Sequence, residues 1–483
     1  MRKRMLTLLV CLALLLAAAP VRTAAAEVPY QTYTYDKWGV ATPAPNGYIP
    51  TRSIGGAQLG CGDFSGAMDL YYCREQGRIY VSDTGNSRIV ILDEKMQFLS
   101  ELRELTCADG STYSLDKPQG VFVDKNGSVY ICDTGNQNVV ECTMDGRVIA
   151  LVPQPESDLL PHNFVYQPTK IVVDDIGRMY IISKGTYQGL IYLDTDGSFI
   201  KFFGPNEVEM TFRRRVLQIW KNLLSDEAAA TLQSFNPIEY GNIFLSSDGY
   251  VYATAAASEN GAALMTKLNP LGIDCSHVKI SGSPLFSDIS VDENETMTLL
   301  DTRYGLIYQY DENGQAMFIF GGIGNQVGLF QKPVSVVEVK EALYVLDSEK
   351  NTITEFTLTQ FGDMVHEAIN LYNEGLYQGS IEPWNEVVSH NTNYLLGYTG
   401  LGKAYYQMKD YDTAMYYFKL ANNRSEYSRA YKEDSLNKVR ASFPTVMAVL
   451  LALAVGYFLL RRVLDRVTWR PWKQKKEREA ANE

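Results

Sequence analysis

Between residues 48 and 358, apolar and polar side chains alternate in short runs closed by Gly, Asn or Asp. A period of two predicts strands with one buried face, and the closing residues predict hairpins. From Asp363 the period lengthens to 3.6, which predicts helices over about 363–373, 378–389, 393–408, 412–422 and 426–439. Two runs are apolar throughout. Met5–Ala19 follows Arg2-Lys3-Arg4 and precedes Ala24-Ala25-Ala26, the layout of a secretory signal peptide cut after Ala26. Phe443–Leu460 has eighteen residues and no charge. As a helix it is roughly 27 Å long, enough to cross a hydrocarbon core.

The alternating region repeats itself. Gly77-Arg-Ile-Tyr-Val-Ser-Asp-Thr-Gly-Asn86 returns 50 residues later as Gly127-Ser-Val-Tyr-Ile-Cys-Asp-Thr-Gly-Asn136. Weaker copies centre on Tyr180, Tyr252, Thr298 and Tyr344, which gives six anchors with Tyr80 and Tyr130. Within the second unit, Pro118–Asp124, Ser128–Cys132, Asn138–Thr143 and Arg147–Val152 read as four antiparallel strands, with Asn126-Gly127 as a hairpin turn. One such sheet cannot bury both faces, whereas six around a channel can, each packing on two neighbours. The sixth unit runs out of strands near Thr359, so Tyr48–Ile54 is expected to supply its outer strand and close the ring.

The pattern Pro-x-Gly-Val-x-Val-Asp followed by Gly-x-Val-Tyr-x-x-Asp-Thr-Gly-Asn resembles that of NHL-repeat six-bladed β-propellers. The first two units match it well, the third lacks the Asp-Thr-Gly-Asn turn, and the last three are degenerate. The resemblance implies a mainly β fold over 27–360 and a role mostly as an interaction scaffold, although some relatives are enzymes. In the tail, Tyr398, Leu401, Gly402, Tyr405, Ala414, Phe418 and Ala421 fit a 34-residue spacing that resembles tetratricopeptide repeats. Region 361–440 is read as such an array, with a plain helical stalk as the other reading. The resemblance implies a docking surface for protein partners, with Tyr398 and Tyr405 as candidates.

Charge sharpens the division. The whole chain carries −12; residues 1–26 hold four basic residues and no acids, and 461–483 hold eight basic and four acidic, so the body holds about −20. Such a body repels nucleic acid and suits a cationic partner. The basic tail after Phe443–Leu460 predicts one transmembrane helix with 461–483 cytoplasmic and the body outside. Six cysteines lie beyond Ala26: Cys61, Cys73, Cys107, Cys132, Cys142 and Cys275. Their number permits disulfides, with fifteen pairings open, and packing is the expected role of Cys132 in its strand.

Candidate chemistry is sparse. The 72-residue gap between Tyr180 and Tyr252 holds an insert near 207–235, with an apolar helical stripe that includes Trp220 and neighbouring basic residues that include Arg214. It reads as a helical hairpin packed on the ring or as a lid or partner-binding arm. Its face is that of the second-to-third-strand turns, where Asp83, Asn86, Asp133, Asn136, Asp301 and Asp347 are the candidate ligand residues. Their plainer role is turn chemistry. A Ca²⁺ ion among such carboxylates would suit the oxygen ligands, but no spacing demands it, and no cofactor is expected. A small carbohydrate-like ligand stays open.

Several propellers are metal-dependent sugar lactonases with a Glu/Asn/Asp set in the channel, and this is the alternative to a binding protein. No residue-by-residue match to that set exists here. A zinc lyase of propeller fold needs several histidines, and only His162 and His277 lie in this region. The layout as a whole is similar to membrane-tethered accessory proteins of bacterial surface uptake systems.

Overall fold

A computed structural model describes residues 28–36, 38–160, 163–204, 239–255, 265–276, 278, 280 and 284–481. The predicted signal peptide, the insert near 207–235 with Trp220 and Arg214, and both His162 and His277 lie outside the described residues. The chain divides into two compact units, Met1–His366 and Glu367–Glu483.

The first unit is a six-bladed β-propeller. Blade one is Asp69–Cys73, Arg78–Asp83, Arg88–Asp93 and Phe98–Leu102; blade two is Pro118–Val123, Val129–Asp133, Asn138–Cys142 and Val148–Val152. Blade three is Pro168–Val173, Met179–Ser183, Leu190–Leu193 and Phe199–Phe203. Blade four, among the described residues, has three strands: Tyr240–Leu245, Val251–Ala255 and Met265–Leu268. Blade five is Phe286–Val291, Met297–Asp301, Leu306–Tyr310 and Ala316–Gly321, and blade six starts with Pro333–Val339, Ala342–Asp347 and Thr352–Leu358.

Closure follows the expected route. Strand Tyr48–Gly55 pairs antiparallel with Thr352–Leu358, from Leu358↔Tyr48 to Thr352↔Gly55. One feature is additional. A hairpin of Tyr33–Tyr35 and Ala41–Pro43 extends blade five outward, through Tyr33↔Ile319. It carries no copy of the repeat, so periodicity could not place it.

The core is a series of layers between neighbouring blades. Ile79, Val81, Ile54 and Leu346 join blades six and one, Tyr80 and Ile131 join one and two, and Tyr252 and Leu299 join four and five. All six repeat anchors are buried, Tyr80 and Thr298 completely. Each large apolar side chain so buried contributes about 1.5–3 kcal/mol, which is why the anchors recur. Cys132 packs within a strand, and all six cysteines of the described residues are free thiols.

The second unit is helical. The tail helices are α1 (Gln360–Asn373), α2 (Tyr377–His390), α3 (Leu395–Gln407), α4 (Tyr411–Leu420) and α5 (Arg424–Ala480), and α1 begins in the first unit. Small residues in α3 set the spacing. A Cβ on Gly400 would collide with the Trp384 ring of α2, and one on Gly402 would stand 2.6 Å from Phe418 of α4. Helix α5 contains the apolar run and is the one helix among the described residues long and apolar enough to cross a membrane.

Candidate functional site

The turns after the second strands are built on buried aspartates. Asp83 Oδ1 accepts from the Ser65 N–H at 2.8 Å, and its Oδ2 accepts from Asn86 Nδ2 and Arg88 Nε, both at 2.8 Å. Asp133 repeats this with the Asp116 N–H, Asn136 Nδ2 and the Tyr113 hydroxyl, each at 2.8 Å. Asp347 accepts from the backbone of Gln331, Lys332, Glu349 and Lys350. Each carboxylate ties its turn to the loop that enters the same blade. The threonines tie blades together, since Thr84 Oγ1 donates to the Pro118 carbonyl at 2.7 Å and Thr134 Oγ1 to that of Pro168 at 2.6 Å.

Turns and entering loops therefore share one face, as the topology predicted. Their aspartates are each engaged in their own blade, and they do not gather into one cluster. In blade five, Tyr304 stands where the first two turns have asparagine, and Asp301 Oδ2 is buried without a donor among the described residues. Tyr304→Asn is expected to supply that donor and raise stability by about 1 kcal/mol, read as an upward shift of the propeller's melting temperature.

A cavity of about 820 Å³ opens on the other face, among the first-to-second-strand turns. None of Asp83, Asn86, Asp133, Asn136, Asp301 and Asp347 lines it. Its deepest layer comes from the innermost strands. Pairing places Asp69, Gly120, Lys170, Asn242, Asp288 and Ser335 at one level, one per blade, opposite Ser82, Cys132, Ile182, Thr254, Leu300 and Leu346. In the last five blades this level coincides with a β-bulge, which re-aims a side chain. Position 120 must be glycine, because a Cβ there would collide with the Thr169 carbonyl of the next blade.

The channel at this level is crossed by a charged network. The Lys170 ammonium is bonded to Asp69 Oδ1. Ser335 Oγ lies 2.5 Å from Asp288 Oδ2 and 3.3 Å from Asp69 Oδ1, its single proton serving one of them. The Val121 N–H donates to Asp69 Oδ2 at 3.1 Å, the Val336 N–H to Asp288 Oδ2 at 2.7 Å, and the Ile289 N–H to Asp288 Oδ1 at 2.8 Å. Burial raises both carboxyls against the pull of Lys170, Asp288 to about 6. Burial also works against the charge of Lys170, but the two carboxylates outweigh it and its pKa ends above the ordinary lysine value.

Above this layer the wall is acidic. Eleven Asp and Glu and four Lys and Arg line the cavity. Each base is already paired: Arg74 with Glu293, Lys125 with Asp175, Lys170 with Asp69 and Arg178 with Asp174. Eleven less four leaves seven acids without a base of their own, Asp288 sharing the field of Lys170. Glu338, half-buried in the wall, is one of them. Burial raises its carboxyl to about 8, Asp292 adding to the shift and Arg74 opposing it.

A carboxyl raised in the fold is protonated there while ionised in the unfolded chain. Stability is therefore lost as pH rises from about 4.5 to about 8. Glu338→Gln is expected to flatten that slope and to be more stable than wild type at pH 8 by about 2 kcal/mol, allowing for water in the channel. Melting curves across pH 5–9 would check it.

The ring does not fit a resident metal. Its carboxylate oxygens are taken up by Lys170, Ser335 and three backbone N–H groups, and the Asn242 amide oxygen accepts from the Ile243 N–H at 2.6 Å. Among the described residues no three His, Cys, Asp or Glu side chains form a metal-binding group. Sequence reasoning missed this ring because its six residues, Asp69 and Asp288 apart, differ in type. In the helical unit, Tyr405 of α3 stacks on Tyr417 of α4 at 5.5 Å, and Tyr398 is half-buried on α3.

Residues 115–142 match the NHL repeat family model. Similar solved structures include virginiamycin B lyase from Staphylococcus aureus, at 10% identity and TM-score 0.38, covering 65% of this chain and 100% of that one. A gluconolactonase from Xanthomonas campestris matches at 13% identity and TM-score 0.41, covering 66% and 99%. Hydrazine synthase from Kuenenia stuttgartiensis matches at 9% identity and TM-score 0.39, covering 62% and 97%. The chain carries an NHL repeat in the second blade of a six-bladed β-propeller.

Proposed function

We propose that this is a membrane-held extracytoplasmic binding protein whose acidic funnel receives cationic groups of a ligand or protein partner. The observation that carries the reading is the imbalance in the funnel, where every lining base is paired and seven acids are left over. In a concave wall such charge focuses potential and draws in cations. Phe443–Leu460 anchors the body, and the basic residues after it keep 461–483 cytoplasmic. The paired helices of 361–440, read as tetratricopeptide-like, offer a second docking surface for a protein, in an accessory role to a surface uptake system. The alternative, a metal-dependent sugar lactonase-like hydrolase, has less support, because the channel's ring oxygens are already taken.

Titration of the detergent-solubilised full chain with spermidine tests this. Saturable binding that weakens with salt and with Asp248→Asn, which removes an exposed carboxylate of the funnel wall, supports it, and the absence of saturable binding at low salt rejects it.

A further inference from the structure

We propose that Lys170 is a built-in cation, its ammonium standing at the channel ring where a divalent metal would have to sit, so that the ring stays closed without bound metal. Asp69, Asn242 and Asp288 bring oxygen-bearing side chains to one level of the channel, the donor type that hard cations prefer. Two carboxylates left together there, without a cation, would repel each other and pay the full cost of burial. Lys170 comes from the third blade and is bonded to Asp69 of the first, passing the second blade, where Gly120 lets the Thr169–Lys170 backbone approach closely. Asp288 of the fifth blade acts on the same ammonium and is joined to the sixth through Ser335 and the Val336 N–H.

An ammonium carried on the chain differs from a metal ion in one testable respect: it cannot be removed by a chelator. The ring then ties blades one, three, five and six together whatever the divalent-cation concentration outside the cell. With its oxygens occupied, it also offers no open coordination position to a substrate.

The test compares melting temperatures of the detergent-solubilised full chain in EDTA and in millimolar Ca²⁺, with Tb³⁺ luminescence as a second readout. Wild type is expected to melt at the same temperature in both and to show no Tb³⁺ site that Asp288→Asn removes. Lys170→Met frees the carboxylates. It is expected to melt lower in EDTA, to recover by about 5 °C in Ca²⁺ at a hundred times its Kd, and to gain a Tb³⁺ site. Adding Asp288→Asn to Lys170→Met should abolish both gains. Lys170→Arg, which keeps the charge, should behave as wild type and serves where Lys170→Met does not fold. Wild-type melting that falls in EDTA, returns with Ca²⁺ and loses this response in Asp288→Asn would overturn the proposal. So would a Lys170→Arg protein that needs Ca²⁺ to fold.

Discussion

Tyr48→Ala is expected to lower the stability of the propeller by about 4 kcal/mol, because it empties a fully buried aromatic position in the closing strand. Tyr48 stacks on Phe320 at 5.5 Å and meets Phe318 edge-on at 6.5 Å. Its hydroxyl accepts from Gln309 Nε2 at 3.1 Å, and Gln309 Oε1 is bonded to His366 Nε2 at 3.0 Å. Burial lowers the His366 pKa to about 4, so at neutral pH the imidazole is uncharged and Nε2 donates to the amide oxygen. The alanine variant therefore loses packing and also leaves the Gln309 amide short of an acceptor. A drop of roughly 8 °C in the propeller's transition by calorimetry is the expected reading. Tyr48→Phe keeps the ring and should cost about 1 kcal/mol. Equal losses for the two variants would contradict the assignment of the effect to packing.

Trp384→Ala is expected to be comparably damaging, by about 3–5 kcal/mol, but to a different transition. Trp384 is 2% exposed and fills the space above Gly400, the position where a Cβ would strike its ring. Removal leaves a cavity at the crossing of α2 and α3 that neighbouring helices cannot fill without moving. The indole N–H is buried without an acceptor among the described residues, so Trp384→Phe should cost much less than the truncation. In a chain of two compact units, Tyr48→Ala and Trp384→Ala should shift separate calorimetric peaks. A single peak displaced by both would mean that the units unfold together.

The architecture was readable because the ring repeats one packing solution. The anchors Tyr80 to Tyr344 recur since each blade offers the same pocket to its neighbour, and Tyr48–Ile54 could be placed by counting strands. The first four helices of the tail fell within a few residues of their predicted limits because their apolar stripes are regular, whereas the fifth, expected over 426–439, runs unbroken from Arg424 through the apolar run to Ala480, since nothing between 439 and 443 stops a helix. The site was far less legible. Asp83 and Asp133 drew attention through recurrence, and recurrence marks what every blade needs: a carboxylate to hold a turn. The ring from Asp69 to Ser335 is defined by level in the channel, and adjacent blades fill that level with unlike residues. A position that changes from each blade to the next is invisible to a search for repeats, although Lys170 in an otherwise Val- and Ile-rich inner strand was a signal available in the sequence.

The closing strand also sets a timetable. Thr51 and Thr357, whose hydroxyls lie 2.6 Å apart, are separated by 306 residues. At about 5–20 residues per second, the first of them waits roughly 15–60 s for the second to be made. Throughout that wait Tyr48–Gly55 is a bare edge, open to pairing with another newly made chain. Two of its residues are suited to the interval. Pro50 withholds a backbone donor, and Arg52 places a charge on the edge that is paired only when Glu355 arrives. The same arrangement makes damage all-or-none, since a chain cut short anywhere before Thr352 keeps its early blades but has nothing with which to close the circle.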